Sequence, residues 1–97
     1  MIIYIDIDET ICFYEDERSY PLAKPNMKNI AKANALYQSG HTVVYWTARG
    51  ATSGIDWTLT TKEQLKKWGA HHHELKMGKP HYDLFIDDKA MNALDWK

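Results

Sequence analysis

Cys12 is the only cysteine in 97 residues, so an intrachain disulfide is excluded. The thiol reads as a small, partly buried apolar side chain, in keeping with a reducing compartment. No apolar run approaches the roughly 18 residues needed to cross a bilayer, so a membrane-spanning helix is not expected. Met1 leads straight into apolar residues with no charged, signal-like segment, and the expected location is cytoplasmic. An excess of one charge is missing too: twelve basic residues stand against thirteen acidic ones. Nothing in the bulk charge therefore points to nucleic acid or to an anionic membrane. Repeats, low-complexity tracts and interdomain linkers are also absent. A chain of this length encloses one core, and residues 1–97 are expected to form a single domain.

What the chain does have is 44% hydrophobic residues, with four Trp and six Tyr, the composition of a globular protein. The apolar run at 1–5 is β-branched and aromatic, and predicts a buried strand. Residues 11–25 follow as a loop or small hairpin beside the end of that strand. Asn26 is a candidate N-cap for a helix over about 26–39, in which Met27, Ile30, Ala33 and Tyr37 recur at helical spacing and Gly40 marks the end. Residues 41–46 predict a second buried strand running into Thr47-Ala48-Arg49-Gly50.

Further along, Trp57, Thr61, Leu65 and Trp68 share one helical face, Thr61 with Gln64 fits a capping box, and Gly69 closes the segment. Lys62, Lys66 and Lys67 read as a solvated helix face. Residues 75–77 are a weak strand, residues 82–86 a strand ending in Asp87-Asp88, and residues 89–96 a short helix. Strands alternating with helices specify an α/β fold with a mostly parallel sheet and right-handed crossovers.

The strand ends carry the chemistry. Asp6 and Asp8 follow the first strand, Thr47 the second and Asp87 with Asp88 the last, and Lys79 lies just upstream of that last strand. Strand carboxyl ends are where open α/β sheets bind ligands. Four carboxylates in one crevice need a cation, and oxygen donors without His or Cys favour Mg²⁺ over zinc. A hydroxyl and an ammonium beside such an ion suit a phosphoryl group, with one carboxylate as nucleophile and another as acid and base. His71-His72-His73 reads as a loop, because consecutive residues do not readily converge on one ion. Arg49, Tyr14, Arg18 and Tyr20 are placed where they could meet substrate.

Asp6-Ile7-Asp8-Glu9-Thr10 resembles motif I (DxDxT) of the haloacid dehalogenase (HAD) superfamily, Thr47 its motif II, Lys79 its motif III and Asp87-Asp88 its motif IV, in the family's order. The resemblance implies a Rossmann-like three-layer sandwich and a Mg²⁺-dependent phosphatase. Asp6 would be nucleophile and metal ligand, and Asp8 the acid/base and a ligand through its backbone carbonyl. Thr47 and Lys79 would hold the phosphoryl oxygens, with Lys79 also orienting Asp6; beside them Thr10 is a candidate substrate-binding residue, and Arg49 either contacts substrate phosphate or sugar or is a surface arginine. Asp88 would bind the metal directly, with Asp87 in support.

Two positions depart from the pattern. Glu9 stands where the family usually has Gly, and it is either strained by a positive φ or turned outward to help select substrate. Asn92 stands where many members have another acid.

There is no room for a cap domain, so the site is expected to be covered by the 11–25 flap or by a second subunit in a homo-oligomer. Lys24-Pro25-Asn26, Gly78-Lys79-Pro80 and Ile86-Asp87-Asp88-Lys89-Ala90 resemble small phosphatases of capsule and polysaccharide biosynthesis, which implies a small phosphorylated substrate such as a sugar phosphate. The rival readings are a phosphatase of polynucleotide ends or phosphoproteins, and a phosphate-binding module without turnover.

Overall fold

The computed structural model describes all 97 residues. In chain order the elements are β1 (Ile2–Ile5), β2 (Cys12–Phe13), a 3₁₀ turn (Tyr20–Leu22), β3 (Lys24–Pro25), α1 (Met27–Gln38), β4 (Thr42–Trp46), α2 (Thr58–Lys67), β5 (Glu74–Lys76) and a second 3₁₀ turn (Ala93–Asp95). β1, β4 and β5 form a parallel sheet in the order β1-β4-β5, with Ile5 opposite Tyr45 and Tyr45 opposite Leu75. β2 and β3 make the small antiparallel hairpin expected within 11–25.

Local signals fix α1 at both ends. The Asn26 side chain accepts from the Asn29 amide at 3.1 Å, a cap worth about 1 kcal/mol. Gly40, at φ 94°, turns the chain away after the helix. Ile30 and Ala33 supply its buried stripe. The start of α2 differs from expectation, because the helix begins at Thr58 instead of at a Thr61–Gln64 capping box. Asp56 accepts from the Thr58 amide at 2.9 Å, which frees Thr61 and Gln64 for another task.

Successive right-handed crossovers that advance in one direction put their helices on the same face of a sheet. Both helices accordingly share one core with Ile5, Val43 and Tyr45, to which they contribute Ile30, Ala33, Leu65 and Trp68. α1 also holds the loop that follows α2: Asn34 donates to the Gly69 carbonyl at 2.8 Å and accepts from the His71 amide at 2.8 Å. The opposite sheet face carries Ile2, Tyr4, Val44 and Trp46, none of which belongs to that core. The sheet and the two helices thus make an α/β fold with both helices packed on one core.

The C-terminal region departs furthest from expectation. Residues 82–86 do not form a strand, and residues 89–96 contain only the 3₁₀ turn Ala93–Asp95 in place of a helix. From 80 to 95 every hydrogen bond stays within the segment or reaches only Trp96. Consequently β1 is an edge strand, with Ile2 72% exposed, instead of the buried strand anticipated. No helix is long and apolar enough to cross a membrane.

Candidate functional site

The carboxyl ends of β1 and β4 bring four of the expected residues together. Asp6 and Asp8 leave β1, and Thr47 ends β4. The backbone then ties Lys79 to this edge, because its amide donates to the Thr47 carbonyl at 3.0 Å. The Lys79 ammonium lies 3.7 Å from Asp6 Oδ1 and over the Trp46 ring. Burial raises the Asp6 pKa, and the Asp8 charge adds to that, while Lys79 pulls the other way. Asp6 is thus a half-buried carboxylate facing an ammonium.

Asp8 sits in a different environment. Arg49 Nη2 donates to Oδ1 at 2.9 Å, and Arg49 Nε donates to Oδ2 at 3.1 Å. The Tyr14 hydroxyl donates to Oδ1 as well, and the Cys12 thiol approaches the same atom at 3.5 Å. Burial opposes the charge on Asp8, but the Arg49 and Tyr14 hydrogen bonds outweigh it and hold the carboxyl below its ordinary range. The same surroundings push the Cys12 thiol up to about 12, first through burial and then through the Asp8 charge.

Arg49 was expected to meet substrate, but it is 2% exposed and its donors are committed inside the protein. Nη1 donates to Thr61 Oγ1 at 3.1 Å and to Gln64 Oε1 at 2.6 Å, and the guanidinium lies over the Tyr20 ring at 4.8 Å. Gln64 closes the circuit by donating to the Tyr20 carbonyl at 2.6 Å. A buried guanidinium needs such partners on every side. The flap is thereby stitched to α2 and to the turn carrying Asp8 through one cation. Sequence reasoning missed Thr61 and Gln64 in this role. Their i, i+3 spacing on the buried face of α2 was the available signal.

Thr47 is fully buried, and its hydroxyl accepts from the Arg49 amide at 3.1 Å, shaping the turn that follows β4. Gly50 completes the turn with φ 82°, and a Cβ there would lie 2.1 Å from the Ile55 carbonyl oxygen, so only glycine fits. A depression of about 210 Å³ opens between this loop and Met77–Gly78. Thr10 accepts at its carbonyl from Asn29 Nδ2 at 2.8 Å, which docks the turn after β1 on α1. Glu9 has φ 61° and an exposed side chain, so both features anticipated for it occur together.

Asp87 and Asp88 do not join this group. Both are exposed on the irregular segment, and no three acidic, His or Cys residues in the chain are placed to share a metal ion. The three consecutive histidines diverge: His73 Nδ1 accepts from the Val43 amide at 3.1 Å, His71 stacks on Tyr37, and His72 meets the Tyr45 ring edge-on.

The fold is similar to the crystal structure of an MCSG target from Vibrio cholerae, at a TM-score of 0.86 and 24% identity. The match covers 98% of this chain and 86% of that one. At that identity the likeness establishes an α/β fold shared with the Vibrio protein and says nothing of activity. No protein-family model matches the chain, and no curated protein sequence matches it.

Proposed function

We propose that this chain is a capless phosphomonoester hydrolase of the haloacid dehalogenase type, Rossmann-like in fold, acting through an aspartyl-phosphate on Asp6. The observation that carries the reading is the meeting of Asp6, Asp8, Thr47 and Lys79 at one sheet edge, with the Lys79 ammonium 3.7 Å from Asp6. The order and spacing of these residues add the resemblance described above. The ammonium opposes the rise that burial causes in the Asp6 pKa and offers positive charge to the incoming phosphoryl oxygens.

In the first half of the proposed cycle an Asp6 oxygen bonds to phosphorus as the bond to the leaving oxygen breaks. In the second half water displaces the carboxylate and releases inorganic phosphate. Asp8 is the base for that water. It can protonate the leaving oxygen only when Arg49 and Tyr14 loosen their hold, because in the present geometry its oxygens are acceptors.

Mg²⁺ is the implied cofactor, and it would neutralise charge on the phosphoryl group. A single chain fits the ion incompletely: Asp6 offers a carboxylate, the Asp8 carboxylate is engaged by Arg49, and Asp87 and Asp88 lie elsewhere. The favoured substrate is a sugar phosphate or related polysaccharide precursor, supported by the resemblance at Lys24-Pro25-Asn26.

A second reading, a phosphate-binding module without turnover, is favoured by the closed Asp8–Arg49 pair. Hydrolysis of p-nitrophenyl phosphate with Mg²⁺ separates the two. Turnover that disappears in Asp6→Asn and in EDTA is expected. Wild-type protein that binds phosphate without turnover establishes the second reading, and full activity in Asp6→Asn removes the nucleophile assignment.

A further inference from the structure

We propose that residues 82–86 form the missing fourth strand in trans, docking in parallel on the open edge of β1 in a second copy of the chain, with reciprocal exchange between the two. The exchange stands on chain reach and edge geometry, and its parallel direction rests on the function proposed above, which needs Asp87 and Asp88 at the Asp6 end of β1.

Residues 82–86, Tyr-Asp-Leu-Phe-Ile, have the composition of a strand but are left in solvent, with Leu84 75% and Ile86 88% exposed. Their hydrogen-bonding groups find no partner in the rest of the chain. β1 meanwhile has one flank unpaired, which is a template for another strand. A detached apolar strand and an unpaired sheet edge in the same molecule are complementary surfaces.

The chain cannot make a parallel pairing of these two segments by itself. Lys79 is fixed at the level of Thr47, which the β1–β4 register aligns with Ile7. For Asp87 to stand beside Asp6 in a parallel pairing, Tyr82 must lie near Met1. That point is about 20 Å further down the sheet at ~3.3 Å per residue, and about 10 Å across it at ~4.8 Å per strand. Three residue steps from Lys79 to Tyr82 span at most about 11 Å. An antiparallel pairing in cis is within reach, but it would send Asp87 and Asp88 to the opposite end of β1. Only a second copy can supply a parallel strand here.

In that arrangement Ile86 pairs beside Ile5 and Phe85 beside Tyr4 of the other chain. The two acids of one copy then stand next to Asp6 and Asp8 of its partner, where the oxygen-donor set is incomplete. Few contacts resist the exchange. Within its own chain the tail is held mainly by Trp96, whose carbonyl accepts from Lys32 at 2.6 Å and whose ring the Lys32 ammonium overlies.

Two single-cysteine additions test the geometry without relying on activity. Cys12 can remain, because it is buried. Tyr4→Cys and Phe85→Cys chains are prepared separately, mixed under conditions that allow chains to reassort, and oxidised. Parallel neighbours lie within disulfide reach. A covalent heterodimer that forms only in the mixture is expected, together with a wild-type particle of twice the 11.3 kDa chain mass in light scattering. A monomeric wild-type mass overturns the proposal. So does self-linking of Tyr4→Cys alone, which means the β1 edges pair with each other, and so does a monomeric intrachain bridge in the doubly substituted chain.

Discussion

Arg49 grips Asp8 side-on, with Nη2 2.9 Å from Oδ1 and Nε 3.1 Å from Oδ2, and both side chains are largely withdrawn from water. A buried pair with this geometry is costly to break from one side, because the remaining charge is left without a partner. Arg49→Met is expected to lower stability at neutral pH by about 3–5 kcal/mol. Asp8 has a lower pKa folded than unfolded, so the pair's contribution is present above the ordinary carboxylate value and is lost as pH falls through the folded one. The gap between wild type and Arg49→Met should therefore narrow on acidification. Urea unfolding at pH 7 and near pH 3 measures it, and a gap that is small at pH 7 would contradict the structure.

Glu9 offers a test of local strain. It is the only non-glycine residue with positive φ, and left-handed backbone costs a side-chain-bearing residue roughly 1–2 kcal/mol. Glu9→Gly removes that strain at some cost in unfolded-state entropy, so a net gain of about 0.5–1 kcal/mol is expected. A fall in melting temperature would show that the Glu9 side chain contributes more than its backbone loses.

How much of this was legible in the sequence varies by element. Asn26 and Gly40 marked the ends of α1 because capping is a local interaction that needs only near neighbours. The strands at 1–5 and 41–46 announced themselves by unbroken apolar runs, and Thr47 followed from where the second run stops, whereas Lys79 was singled out by the resemblance and by lying upstream of a strand at 82–86 that does not form. Arg49 could not be read correctly, because its burial depends on Thr61, Gln64 and Tyr20 meeting it from three separate elements. Residues 82–86 have the composition of a strand, but pairing needs an edge within reach, and composition carries no information on reach.

Tyr45 is fully buried, and its hydroxyl has no hydrogen-bond partner. Burial alone pushes its pKa up to about 12, so the group stays neutral and simply forgoes solvation. Tyr45→Phe deletes the orphaned oxygen while keeping the ring against His72 and the core. A change between zero and about 1 kcal/mol in favour of the variant is expected in thermal unfolding. A loss above that range would reveal a bond that the hydroxyl makes.

Mixed chains connect the strand exchange to catalysis. If Asp88 serves the partner's site, Asp6→Asn and Asp88→Asn chains should each be nearly inactive alone and should complement when reassorted. In such a heterodimer, the site built on the Asp88→Asn body keeps its own Asp6 and receives an intact Asp88 from the other chain, while the second site carries both lesions. Random reassortment makes about half of the dimers mixed, with one intact site of two, so recovery of about a quarter of wild-type activity is expected. Assembly of each site within one chain allows no recovery on mixing. A mixture as inactive as its parents, in a preparation whose chains demonstrably reassort, would restrict Asp88 to its own chain and leave the Asp6 assignment standing.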